Sequence, residues 1–141
     1  ESPGLTSSPA IGERLAKIIS EKMNLEKKET FNPKRAGFVR FNEISDEERE
    51  KLIEENPLYG NVICRCELVT EGQIVDAINR PIGARSVDAV KRRVRAGMGR
   101  CQGGFCTPKV MSILSRELGI DMTEVTKKGG NSQMVTGRVK E

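Results

Sequence analysis

Arg95-Ala96-Gly97-Met98-Gly99-Arg100-Cys101-Gln102-Gly103-Gly104-Phe105-Cys106 is the stretch on which the reading of this 141-residue chain turns. Two cysteines bracket a glycine-rich loop, and Thr107-Pro108 directly behind them opens a helix with proline in its first turn. Val110, Ile113, Leu114 and Leu118 follow at helical spacing, and Gly119 ends the run. The glycines let the backbone take positive φ and bend around a bulky inorganic object. They also let backbone N–H groups approach the sulfurs, and the helix N-terminus behind Cys106 adds partial positive charge there.

Upstream, Cys64-Arg65-Cys66 supplies the other two cysteines of the chain. The full spacing is C-x-C, thirty-four residues, then C-x4-C. In extended backbone, residues two apart face the same side with Cα atoms roughly 6.5–7 Å apart. Cys64 and Cys66 are therefore expected to act as one thiolate pair and Cys101 with Cys106 as the other. Disulfides fit poorly, because a Cys-x-Cys bridge is strained and the cytosol, the default compartment for such a chain, is reducing. Inert core cysteines would sit on apolar helix faces, not in loops beside Arg and Gly. A four-thiolate metal centre is the favoured reading, and spacing alone leaves zinc and iron–sulfur level.

Outward from these segments the pattern is mostly α. Val62 and Ile63 form a brief extended run into Cys64. Thr70 with Gln73 is a capping box for a helix carrying Ile74, Val75 and Ile78 up to Arg80-Pro81. Ser86 caps a helix with Val87, Val90 and Val94, stopped at Ala96-Gly97. Towards the N-terminus, Ser8-Pro9 reads as a helix start, with Ile11, Leu15, Ile18 and Ile19 placing a helix over about residues 9–23. Residues 24–34 are a charged connector, Gly37 to Phe41 is a short extended segment, and Ser45-Asp46-Glu47-Glu48 opens a short charged helix closed by Asn56-Pro57. After Asp121 the tail is polar, contains Gly129-Gly130, and is expected to be an extended or partly disordered arm.

Composition bounds the function. The chain has no histidine, which removes imidazole catalysis and mixed Cys/His zinc sites. One Tyr, no Trp and 36% apolar residues argue against a large β-sandwich or a deep aromatic pocket. The net charge of +4 comes from near-balanced acids and bases, so it does not imply nucleic acid. The basic run Lys91-Arg92-Arg93-x-Arg95 lacks interleaved aromatics and reads as a solvated helix face. No apolar run reaches membrane-spanning length. The chain opens with Glu1 instead of methionine, as expected of a piece of something longer.

Cys64-Arg65-Cys66-Glu67 with Thr70-Glu71-Gly72-Gln73-Ile74, together with the Arg95–Cys106 stretch, resembles the bacterioferritin-associated ferredoxin-like [2Fe–2S] domain over about residues 60–120. The resemblance implies a small helix-turn-helix domain whose [2Fe–2S] cluster is held by Cys64, Cys66, Cys101 and Cys106. Glu1-Ser2-Pro3-Gly4-Leu5-Thr6-Ser7-Ser8-Pro9-Ala10 resembles the last flavin-contacting strand and loop of D-amino-acid-oxidase-like FAD domains, implying flavin contacts at Gly4, Leu5 and Thr6. Phe31-Asn32-Pro33-Lys34-Arg35, the Glu47–Glu55 helix and Asn56-Pro57-Leu58-Tyr59-Gly60 look like the linker of bacterial anaerobic-type glycerol-3-phosphate dehydrogenases. The implied organisation is the end of a FAD domain at 1–23, a linker at 24–57, the cluster domain at 58–120 and a tail at 121–141.

On that resemblance the chain is an electron carrier of a FAD-dependent oxidoreductase. Its expected partners are the FAD/substrate domain of the same parent chain and an electron-acceptor subunit, in the cytoplasm or at the inner membrane face through the parent complex. No catalytic residue is assigned, because no catalytic base, flavin pocket or substrate cleft can be assembled from these residues; the fragment alone is expected to be inactive. The competing reading is a structural zinc module, and a fragment handled in air is expected to lose a cluster and take up zinc. Arg65, Arg95 and Arg100 are expected to offset the cluster's negative charge, Phe105 to shield it, and Met98 to fill the loop. Gly97-x-Gly99 is no dinucleotide fingerprint, because a helix and not a strand precedes it.

Overall fold

The computed structural model describes residues 3–137 and 139; Glu1 and Ser2, part of the segment that resembles a flavin-contacting strand, lie outside the described residues. The chain divides into two units, Glu1–Arg35 and Ala36–Glu141. The first is helix α1, Gly4–Lys22, followed by irregular chain. It starts earlier than the expected residue 9, and Gly4, Leu5 and Thr6 are its first turn instead of a strand. Pro9 therefore lies inside the helix and removes one backbone donor. The Ser8 hydroxyl donates instead to the Leu5 carbonyl (2.8 Å) and the Ser7 hydroxyl to the Pro3 carbonyl (2.8 Å). No residue of α1 is buried.

The second unit carries helices α2 (Asp46–Glu55), α3 (Glu71–Asn79), α4 (Val87–Val94) and α5 (Thr107–Leu118) around one small antiparallel hairpin, β1 (Val62–Cys64) and β2 (Val69–Thr70). The architecture is mostly α, as expected. Both expected capping boxes form: Ser45 and Glu48 start α2, and Thr70 and Gln73 start α3. The apolar stripes read from the sequence meet in one core of Ile74, Ala77 and Ile78 from α3, Val90 and Val94 from α4, and Val110, Ile113 and Leu114 from α5. In the hairpin Val62 pairs with Thr70 and Cys64 with Val69, so the Arg65–Leu68 turn projects from its end.

The base of the hairpin is tied to α3 and α5 by a carboxylate. Glu71 accepts from Asn61 Nδ2 and from Arg116 Nη1, both at 2.6 Å. The Arg116 guanidinium pKa is raised by these hydrogen bonds to Glu71 and Glu117. Residues 36–41 do not pair as a strand. They lie along α3 instead, where Gln73 Nε2 donates to the Val39 carbonyl (2.7 Å), Arg80 donates to the carbonyls of Ala36 and Gly37, and its guanidinium sits 3.7 Å from the Phe38 ring centre.

The segment after Asp121 departs from the expected free arm. Val125 is 1% exposed within the core, and its carbonyl accepts from Met134 N (3.1 Å) across a short reversal at Gly129-Gly130. The Thr126 and Lys127 carbonyls accept from Val87 N and Asp88 N, the first amides of α4. Polar composition hid this because only a few scattered apolar residues, Val125 in the core with Met122 and Met134 packed against it, and backbone hydrogen bonds hold the segment. Val125→Ala is expected to lower the unfolding free energy by about 2 kcal/mol in urea titration; an unchanged midpoint would mean the segment is not part of the core.

Candidate metal centre

The hairpin turn and the loop between α4 and α5 bring the four predicted cysteines around one cavity of about 340 Å³, which Arg65, Phe105 and Lys109 also line. Their pairing is crossed relative to sequence order. Cys66 and Cys101 Sγ atoms lie 3.6 Å apart, with Cys66 exposed and Cys101 half-buried. Cys64 (1% exposed) and Cys106 (2%) make the inner pair, in thiol contact with each other. Cys64 and Cys66 both line the cavity, but from different local backbone: the strand ends at Cys64, and Cys66 lies in the turn, whose last residue, Leu68, has φ +50°.

Backbone geometry enforces this arrangement at two glycines. A Cβ on Gly99 would stand 2.2 Å from Cys66 Cβ, so the turn and the loop touch main chain to side chain with no space for a methyl. Gly103 has φ +86°, and a Cβ there would meet Thr107 Oγ1 at 2.7 Å. The α4 end contributes a further tie: Arg95 caps the helix in the left-handed region (φ +67°), and its Nε donates to Glu67 Oε2 at 2.8 Å. Arg95 is thus paired with an acid, and Arg100 does not line the cavity; Arg65 does. Lys109, which the sequence reading did not single out, also lines it. Its position one turn into α5, three residues after Cys106, was the available signal.

Electrostatics separate the two pairs. The amides of Phe105 and Gly103, then the Cys66 thiol and the amide of Gly104, hold the Cys101 thiol below its usual range. Burial, then the facing Cys64, pushes the Cys106 thiol up to about 11. Loop amides poised on Cys101 are the donors that the glycine-rich sequence led one to expect, and they suit an anionic sulfur.

Among the described residues no three Cys, Asp or Glu side chains converge on a point that would hold a single ion. The sulfurs instead form two two-sulfur grips, one inner and one outer, along a shared cavity. Four thiolates around one cavity can hold a metal group, and the 3.6 Å between Cys66 and Cys101 is close to the spacing of two sulfurs that share one metal atom at about 2.3 Å. Residues 62–116 match the family described as the BFD-like [2Fe-2S] binding domain. This segment belongs to that family.

Among known proteins, the chain is 54% identical over 141 residues to "Glycerol 3-phosphate dehydrogenase" of Caloramator mitchellensis, a match covering 99% of this chain and 29% of that protein. It is 34% identical over 64 residues to one component of the anaerobic glycerol-3-phosphate dehydrogenase of Escherichia coli, covering 45% of this chain and 12% of the relative. It is 45% identical over 58 residues to "Hydrogen cyanide synthase subunit HcnB" of Pseudomonas aeruginosa, covering 41% and 12%. The chain thus spans less than a third of the length of these curated relatives. No solved structure matches it. Among the described residues no helix is long and apolar enough to cross a membrane.

Two outcomes are expected of the metal-free [2Fe–2S] domain. Alkylation followed by mass spectrometry as pH is raised should label Cys101 before Cys106, since the lowered group ionises at lower pH and the raised one only near 11; the reverse order would contradict the amide cradle. Gly99→Ala should push the turn off the loop and lower the urea midpoint, with Cys66 reacting faster with a thiol reagent.

Proposed function

We propose that this chain is the [2Fe–2S] electron-transfer segment of a larger flavin-dependent glycerol-3-phosphate dehydrogenase, with Cys64, Cys66, Cys101 and Cys106 as the cluster ligands. The observation that carries the ligand assignment is the convergence of all four sulfurs, as two pairs, on one cavity within the family-matched segment. When bound, the cluster supplies one-electron storage, one iron cycling between ferric and ferrous. The chain's own part is to hold the inner pair dry, to present the outer pair to the surface, and to aim the 103–105 amides at Cys101.

The dehydrogenase reading is supported by the Caloramator relative, whose likeness runs through α1 and residues 24–57 as well as the cluster domain. In this reading the flavin lies in the FAD/substrate domain of the same parent chain, outside residues 1–141. Gly4, Leu5 and Thr6, exposed on α1, are available to meet it. Reduced flavin holds two electrons, and the cluster would accept them singly for onward transfer to an acceptor subunit. The proposed location is cytoplasmic, at the inner membrane face where the parent complex docks there.

The chain purified without oxygen is expected to be brown, to bleach with dithionite and to give a rhombic EPR signal on reduction, with about two irons per chain. Cys64→Ser or Cys106→Ser should abolish that signal. A colourless anaerobic protein containing about one zinc per chain would replace the electron-carrier reading with a structural zinc module. The chain alone should not oxidise glycerol 3-phosphate; turnover by it would contradict the division of labour proposed for the two domains.

A further inference from the structure

Helices α2, α3 and α4 each place acidic side chains in the first turn, Asp46 to Glu48, Glu71 and Asp88 respectively, where the helix dipole favours them. Helix α5 has no acid there, and its third residue is Lys109. The dipole opposes a cation at that position. Lys109 makes no hydrogen bond or ion pair with any described residue, and no carboxylate lines the cavity it faces. It lines one cavity together with Arg65 and the four cysteines. Lys109 is exposed, so water meets its charge while the thiols are unbound; a group held by those thiols as thiolates would bring fixed negative charge to the cavity that Lys109 lines.

We propose that Lys109 is a countercharge of the iron–sulfur group and holds its reduction potential up; this rests on the ligand assignment made under the proposed function. A four-thiolate [2Fe–2S] group carries a net charge of roughly −2 oxidised and −3 reduced. A fixed cation at the cavity wall therefore stabilises the reduced state more than the oxidised one. Arg95 is withdrawn from this role by Glu67, and Arg100 stands off the cavity, which leaves Lys109 and Arg65. The step is the addition of one electron to one ferric iron, with no bond made or broken, and the electron comes from dithionite in the test.

The experiment is an EPR-monitored potentiometric titration of the anaerobic chain and of Lys109→Gln, Lys109→Met and Lys109→Arg, at low and high salt. Lys128→Gln, outside the cavity lining, is the control. The glutamine and methionine variants should keep the wild-type rhombic signal and iron content but titrate at a more negative midpoint. That gap should shrink as salt screens the charge, while the arginine variant and the control stay at the wild-type value. Methionine keeps most of the apolar stem, so it reports the charge even if glutamine disturbs assembly. Midpoints of both neutral variants equal to wild type, with the signal intact, overturn the role of Lys109. Absence of any rhombic signal in the wild-type chain overturns the ligand assignment itself, and this role with it.

Discussion

Everything at the metal centre depends on one close approach: the hairpin turn bearing Cys66 lies against Gly99, with no room for a methyl between them. That contact brings a sulfur from the turn to 3.6 Å from Cys101, although thirty-four residues separate Cys66 and Cys101 in the chain. Neither segment could hold such a geometry alone. The turn is steadied from behind by Glu71, buried between Asn61 and Arg116, and from the side by the Arg95–Glu67 pair. Exposed ion pairs contribute little to stability, but the Glu71 carboxylate is largely removed from water, so loss of either partner would leave a costly unpaired charge.

The inner and outer sulfur pairs give the centre a direction. Cys64 belongs to the core along with Ile63 and Val69, while Cys66 reaches solvent two residues later. Phe105, expected to shield the site, lines the cavity yet is itself 85% exposed. It therefore forms a wall and not a cover. Of the three arginines expected near the site, Arg65 lines the cavity and Arg95 is paired with Glu67.

Much of this was legible beforehand because it rests on local chemistry. Capping boxes at Ser45 and Thr70, the Thr107-Pro108 start and the Gly119 stop are short-range signals, and each fell where the residues said. The four cysteines were identifiable as one site because they are clustered in loops beside glycine and arginine. The crossed pairing was not legible, for it depends on the backbone turning at Arg65 instead of continuing the strand, a tertiary outcome of packing against Gly99. Lys109 was hidden for a similar reason: a lysine on a helix says nothing until the object opposite is known. Pro9 misled in the other direction. Proline is favoured at a helix start, but serine hydroxyls two and one residues before it donate to helix carbonyls and let α1 begin earlier.

The carbonyls of Thr126 and Lys127 that meet the first amides of α4 have a temporal consequence. While the polypeptide is being made on the ribosome, α4 and all four cysteines emerge well before those two residues do. Until they arrive, the Val87 and Asp88 amides have only water to bond, and the hydrophobic interior lacks Val125. A nascent chain paused short of that point would own every sulfur it needs while the scaffold around them is still unfinished, so tight closure of the unit waits for residues 125–127 to emerge.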